Sequence, residues 1–511
     1  MYLCQQKYRN KLYYIYNIIY VMKRLIFIIT AILTSISINL ANAETSENIC
    51  LTHEEGIDKA NESLMAVRKK KEKDTTGIRK GWTFGALPSV SYDADLGFQY
   101  GALTNIYYFG DGSKYPEYLH SFYVEASYTT KRYGVFRFFY DSKYLIPKHR
   151  LTIDATYLPD AMCDFYGYNG YQTVFNDKWK NSKKYSAEEG YRSRAYYKFK
   201  RDLFRFSADI QGNLSGNYYW NAGIGVLGYG CNTVDIKMLN KGKKEAKKLP
   251  EIDVLYDKYV QWGLIDENEK NGGWHPYVHA GLTYDSRDKQ QNPSKGIYAD
   301  VFLTYNAAFG AQKKFNNMKV NADFRHYVPI YKDWISFAYR VGVQLTTYGK
   351  SPFYLNTYMN NLYTQRVIYE GPGGGNSVRG VLRNRVLANG FGFANVEFRL
   401  KACKFKIRKE HFYIGFNPFV DMGMVLQPYD IDKNEVIKSI KENDPDFNID
   451  ELSDYLTFNK KSIYRPHLSA GIGLKIAMNE NFILSVDWAV PFDTQDGASK
   501  ANFYVKIGYM F

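Results

Sequence analysis

Arg379 is the residue whose setting points most directly to chemistry. It belongs to Gly-Pro-Gly-Gly-Gly-Asn-Ser-Val-Arg-Gly, residues 371–380, in a segment between two runs of alternating apolar and polar residues. Glycine accepts positive φ and close backbone approach, so this loop is free to fold back onto another surface. Gly373, Gly374, Gly375 and Gly380 supply that freedom, and Val378 is the apolar residue beside the arginine. A guanidinium pairs with a carboxylate through two parallel hydrogen bonds. In 390–407, Gly392, Ala394, Val396, Phe398 and Leu400 share an apolar face, which leaves Asn395, Glu397 and Arg399 on the other. In 412–425, Ile414, Phe416, Pro418, Val420 and Met422 share a face, and Asp421 points the opposite way. Glu397 and Asp421 thus face one interior from neighbouring strands, and the loop is long enough for Arg379 to reach either. This is the chemistry of an ionic clasp. There is no H-E-x-x-H, G-x-S-x-G or P-loop motif, and the eight histidines form no ligand cluster. We expect no enzyme activity, no catalytic residues, no metal and no cofactor.

The elements that must carry these residues are strands. Phe503, Val505, Ile507, Tyr509 and Phe511 alternate with Tyr504, Lys506, Gly508 and Met510. Leu468, Ala470, Ile472, Leu474 and Ile476 alternate with Ser469, Gly471, Gly473 and Lys475, and Phe482, Leu484, Val486, Trp488 and Val490 repeat the pattern. Period two with one apolar face means a half-buried strand, and small or charged residues opposite it suit a polar barrel lumen. Sixteen such strands are predicted: 81–92, 96–109, 119–130, 133–145, 149–159, 192–209, 218–235, 274–288, 297–309, 315–330, 334–349, 390–407, 412–425, 465–479, 481–493 and 502–511. An even count puts both ends on one side. The tight turns at 147–149, 331–333 and 408–410 fall on that side, and the insertions 160–191, 236–273, 350–389 and 426–464 fall on the other. Short inner turns and long outer loops are the asymmetry of outer-membrane barrels. The fold class expected is therefore all-β, a 16-stranded antiparallel transmembrane β-barrel with a short N-terminal periplasmic helix. The first strand contains Gly85 and Pro88; proline belongs on an edge, so its pairing with the last strand should be weak.

Composition fits. The chain has 48 tyrosines and 32 phenylalanines, the amounts that lipid-facing surfaces and interfacial girdles require. Lys23-Arg24, the apolar run 25–40 and Ala41-Asn42-Ala43 read as a signal peptide cleaved after Ala43, with Met22 the start and 1–21 an upstream extension. Its removal lowers the formal charge from +15 to +10. That balance suits anionic lipid headgroups, and without any nucleic-acid motif it does not argue for nucleic acid. In 44–80, Thr52 and Glu55 make a capping box, and Ile57, Ala60, Leu64 and Val67 form one helical stripe ahead of Arg68-Lys69-Lys70-Lys71. The domains expected are thus 1–43, 44–80 and the barrel 81–511. Cys50, Cys163, Cys231 and Cys403 lack zinc spacing; Cys163 and Cys231 would both lie near the outer rim, so they are a candidate pair.

Four motifs then resemble those of the BamA/TamA-like surface-antigen barrels, over about 81–511. Beside the Val378-Arg379-Gly380 loop, these are Asp285-Ser286-Arg287-Asp288 with Asn292-Pro293-Ser294-Lys295-Gly296, a hairpin signature; Asp164-Phe165-Tyr166-Gly167-Tyr168-Asn169, like an F-Y-G-x-G-N element with Tyr168 at its second glycine; and Phe419-Val420-Asp421-Met422-Gly423, like an F-x-D-x-G element. Phe511 is similar to the terminal aromatic sorting signal of such barrels. The resemblance implies an Arg379–Asp421 pair with Glu397 as second acceptor, a lateral gate between the first and last strands, and a Gram-negative outer-membrane location. It also implies a role in inserting or translocating outer-membrane proteins or lipids, with a passive channel or structural subunit as the alternative. Val381 replaces the aromatic usual after Val-Arg-Gly, which predicts looser packing at the loop tip. The segment 44–80 is too short for a polypeptide-transport-associated (POTRA) domain. Periplasmic or lipoprotein partners carrying substrate-binding domains are therefore implied, besides client outer-membrane proteins and outer-membrane lipid. Lys243, Lys244, Lys247 and Lys248 favour lipopolysaccharide.

Overall fold

Burial in the strands is inside out. Ile224, Val278, Leu282 and Val420 are exposed, whereas Ser469, Asn417, Asp421 and Asp487 are wholly buried. A closed sheet that turns its apolar face outward and its charges inward is solvated by lipid. The computed structural model describes residues 79–511 except 116, 246–247, 291, 333, 361–370, 408–409, 479–481 and 498–500. The expected signal segment, Cys50 and the helix expected within 44–80 lie outside the described residues. No helix among the described residues is long and apolar enough to cross a membrane.

Sixteen strands close into one antiparallel barrel, each paired with its sequence neighbours and the last with the first. They are β1 (Trp82–Asp93), β2 (Gly97–Tyr108), β3 (His120–Thr129), β4 (Gly134–Ile146), β5 (His149–Asp164), β6 (Lys198–Ser215), β7 (Tyr218–Asn232) and β8 (Gly272–Asp285). The second half holds β9 (Gly296–Asn306), β10 (Asn317–Tyr331), β11 (Ile335–Gly349), β12 (Gly390–Ile407), β13 (Glu410–Gln427), β14 (His467–Met478), β15 (Phe482–Pro491) and β16 (Asn502–Ile507). Three expectations shift most. β5 runs on to Asp164, five residues into the expected insertion 160–191, pairing with β6 through Cys163 and Asp164. β6 starts at Lys198 and not at 192, because Ala195, Tyr196 and Tyr197 are buried among the outer loops. β16 stops at Ile507: Gly508 takes φ 92° and turns the chain inward, so Tyr509 and Phe511 leave the lipid face on which period two would put them. Met510 and Phe511 pack inside against Tyr327 and Ala338.

The inner turns are tight where Lys148 and Lys332 adopt positive φ. The long outer loops fold together above the barrel around an aromatic core that includes Phe165, Tyr168, Tyr196, Tyr259, Trp262, Phe353 and Tyr455. Phe165 meets Tyr259 edge-on at 5.1 Å, and Trp262 meets Tyr455 at 5.2 Å. Such pairs are worth roughly 0.5–1.5 kcal/mol each beyond their buried area. The tyrosine excess therefore serves this dome as well as the membrane girdles. Cys163 and Cys231 are buried and form no disulfide; they sit on β5 and β7 with β6 between them.

β1 and β16 form the weakest junction. Among the described residues only Tyr92–Val505 and Asp93–Tyr504 are in register across it, whereas β1 pairs with β2 along its whole length. Pro88, which has no N–H to donate, lies in the unpaired stretch.

Candidate functional site: the loop clasp and the seam

Loop 350–389 dips into the lumen. Gly373, Gly374 and Gly380 take φ of 102°, 80° and 89°, the left-handed region that side chains resist. Gly374 N–H donates to the Val381 carbonyl at 2.8 Å, which closes the turn. Ser377 Oγ accepts from Gly373 N–H at 2.8 Å. Val378 is buried beneath this turn; a Cβ on Gly423 would lie 3.1 Å from its Cγ2, so the F-x-D-x-G glycine makes room for the loop.

These constraints aim Arg379 inward. Its Nε and Nη2 donate to Asp421 Oδ2 and Oδ1 at 2.8 and 3.0 Å, and its backbone N–H adds a third bond to Oδ2 at 3.0 Å. Nη1 forms ion pairs with Glu397 at 2.8 Å and Asp487 at 3.3 Å. The guanidinium lies 3.4 Å over the centre of the Phe419 ring. Arg379, Glu397, Asp421 and Asp487 are all fully buried, with carboxylates from β12, β13 and β15. Lys475 balances Asp487 from the other side at 2.5 Å. The structure thus brings Arg379, Asp421 and Glu397 together, gives the motif's Phe419 a place beneath the guanidinium, and adds Asp487, which sequence reasoning passed over. Asp487 was findable: it is an acid on the inward parity of an otherwise apolar strand.

The same loop holds the seam from inside. Lys506 Nζ donates to the Gly375 carbonyl at 2.6 Å, Gly380 N–H to Tyr504 Oη at 3.0 Å, and Asn502 Nδ2 to the Gly380 carbonyl at 3.0 Å. All three partners are on β16. A Cβ on Gly375 would fall 2.7 Å from Asp93 Oδ2 of β1, so the loop presses against both seam strands. A Cβ on Gly380 would meet Ala489 and Ser469 at 3.2 Å while holding positive φ. Gly380→Ala should therefore cost about 1–2 kcal/mol of backbone strain, measured as earlier proteolysis within 371–389 in otherwise folded barrels.

The loop's return is pinned to the dome. Arg383 pairs with Asp160 and, at 3.3 Å, with Asp164. Arg385 donates to the carbonyls of Gln495, Gly170 and Thr173 at 2.8, 3.0 and 2.9 Å. Asn169 N–H donates to the Leu387 carbonyl at 2.7 Å, and Asn169 Oδ1 accepts from Tyr429 N–H at 2.7 Å. Tyr168 is buried and packs on Tyr429 with ring centres 4.5 Å apart. Val381 is not loosely packed as expected: it is fully buried in one cluster with Val378, Val386, Phe391 and Phe393. In the turn β1–β2, Asp95 Oδ2 is enclosed without a hydrogen-bond partner. Burial, then repulsion from Asp93 and Asp164, pushes this carboxyl up to about 7.

The hairpin motif has a local task. Asp285 holds Arg287 through two 2.8 Å bonds, and Asp288 accepts from the N–H groups of Ser294 and Lys295. Gly296 has φ 108°, and a Cβ there would lie 2.3 Å from the Ser286 carbonyl. Asn292 and Pro293 reach across the inner mouth to Tyr413 and Arg399. Lys243, Lys244 and Lys248 lie on the outer loop 233–271, and Lys247 lies outside the described residues. Among the described residues no cluster of side chains is arranged to hold a metal ion.

Comparison with known proteins adds the following. The Omp85 superfamily domain matches residues 82–511. Among solved structures, BamA from Haemophilus ducreyi lacking POTRA domains 1–3 aligns at 16% identity and TM-score 0.49, over 84% of this chain and 70% of that one. CdiB from Escherichia coli aligns at 11% identity and TM-score 0.47, over 84% of this chain and 63% of that one. No curated protein matches.

Proposed function

The chain belongs to the Omp85 superfamily and is a barrel of the Gram-negative outer membrane, and from that premise we propose that it inserts or translocates outer-membrane components through the β1–β16 seam, with loop 350–389 as the clasp that keeps the seam shut. The observation that carries this reading is the pairing of a two-rung seam with a loop whose contacts run to both seam strands and to a buried arginine clasp. A structural subunit has no need of a junction so weakly paired yet so heavily restrained. The proposed role is non-enzymatic: barrier and gate are one strand pair, and opening it exposes hydrogen-bonding edges to a client strand or a path to a lipid. Periplasmic or lipoprotein partners would deliver clients, and outer-membrane lipid, including lipopolysaccharide, would bathe the exposed face.

Depletion tests the reading. Folded, surface-exposed levels of other outer-membrane barrels, or of lipopolysaccharide, should fall before viability does. Normal levels of both, together with robust conductance of the purified protein in planar bilayers, would favour the passive channel instead.

A further inference from the structure

We infer that Arg399 is the anchor of an internal docking site for the segment 508–511, and that Glu397 and Asp487 couple this site to the loop clasp. Arg399 faces the lumen from β12, one inward position below Glu397. Its Nη2 donates to the Phe511 backbone oxygen at 2.7 Å, its Nη1 to the Pro293 carbonyl at 3.4 Å, and its Nε to Glu397 Oε2 at 3.0 Å. The guanidinium also lies 4.2 Å from the Tyr509 ring centre and 5.0 Å from that of Phe511. One side chain therefore gathers the turned-in end of the seam strand, the β8–β9 turn and a carboxylate shared with the clasp.

Glu397 uses its two oxygens separately, Oε1 for Arg379 and Oε2 for Arg399. Asp487 does the same, with Oδ2 facing Arg379 and Oδ1 facing Lys475, whose Nζ is 5.4 Å from the Tyr509 ring centre. Two parallel ionic paths thus run from the outer loop to the inner mouth, and both end on the segment that follows β16. Arg379, Arg399 and Lys475 meet Glu397, Asp421 and Asp487 in a buried interior, where removing one member leaves another buried and unpaired. Opening the clasp should therefore loosen the 508–511 segment, and the reverse. Arg399 and Glu397 are positioning residues in this scheme.

The inference deepens the seam-and-clasp reading, and labelling rates test it whether or not the barrel inserts clients. Two reporters are built in the full-length protein with Cys50 and Cys403 replaced by serine, the other mature thiols being buried: Met510→Cys for the segment and Val381→Cys for the loop. Barrels purified in detergent, confirmed as folded by heat-modifiable mobility, are treated with a small hydrophilic maleimide. Arg399→Gln should raise labelling at Met510→Cys about tenfold or more, the scale set by losing a charged hydrogen bond. Glu397→Gln should raise labelling at both reporters. Asp421→Asn, which opens the clasp, should raise it most at Val381→Cys and, through the shared carboxylates, more weakly at Met510→Cys. Should Glu397→Gln not fold, Glu397→Asp keeps the charge but shortens the reach, and should show the same two-site response more weakly. Unchanged labelling at Met510→Cys in Arg399→Gln overturns the anchor. A Glu397 variant that opens only the loop reporter overturns the coupling.

Discussion

Arg379→Ala should open loop 350–389 while leaving a folded barrel. The substitution strands Asp421, Glu397 and Asp487 in a wholly buried site, with Arg399, Lys475 and Lys506 left as the nearby cations. Breaking a buried ionic group by removing one member costs about 3–5 kcal/mol, enough to shift the closed population by roughly two to almost four powers of ten. The check is limited proteolysis of 371–389 beside heat-modifiable mobility: rapid cleavage of a still-folded barrel is expected, and parental resistance would remove the clasp from the mechanism. Arg379→Lys should recover little, because one ammonium cannot reproduce the paired bonds to Asp421 together with contacts to two further carboxylates. Exchanging charges, Arg379→Asp with Asp421→Arg, should also fail. It would restore the 379–421 pair, but the new carboxylate at 379 would face Glu397 and Asp487, which lose the guanidinium that pairs with them.

The second large effect concerns the seam. Tyr92 and Val505 are direct partners across β1 and β16, and both face outward. Cross-strand partners have Cα separations that a disulfide can span. Tyr92→Cys with Val505→Cys, in the background lacking Cys50 and Cys403, should stop insertion or translocation almost completely when oxidised and restore it on reduction. The same bridge at Ile472 and Trp488, within the well-paired β14–β15 junction, should leave activity unchanged. Activity that survives a fully oxidised seam would sink the gate and leave the barrel's own lumen as the route.

Much of this architecture is legible in the residues because lipid and lumen impose opposite chemistries on alternate positions. Period two on β12 and β13 was enough to aim Glu397 and Asp421 at one interior, and the glycines of 371–380 were enough to free Arg379. What pattern alone misses is decided by contacts distant in sequence. The run 192–197 looks like strand because Tyr196 and Tyr197 suit one, yet the dome buries them. The alternation through Phe511 is unbroken on paper, and one glycine at 508 redirects it. Val381 seems small for its place, yet it is buried in one cluster with Phe391 and Phe393. Each is a matter of which partner arrives from elsewhere in the chain, which no local window contains.

The dome has a consequence for the order of assembly. Its bonds join residues such as Asn169 and Tyr429, 260 positions apart, and Tyr171 and Asp496, 325 apart. Contacts of such high order repay their loop-closure entropy only after intervening chain is already fixed. The aromatic cap must therefore form after the strands beneath it, and it draws on loops from both halves of the sheet. A barrel missing any one of them would carry an unfinished lid. Protease resistance at the cell surface is thus a certificate of completion, issued last and only to a whole cylinder.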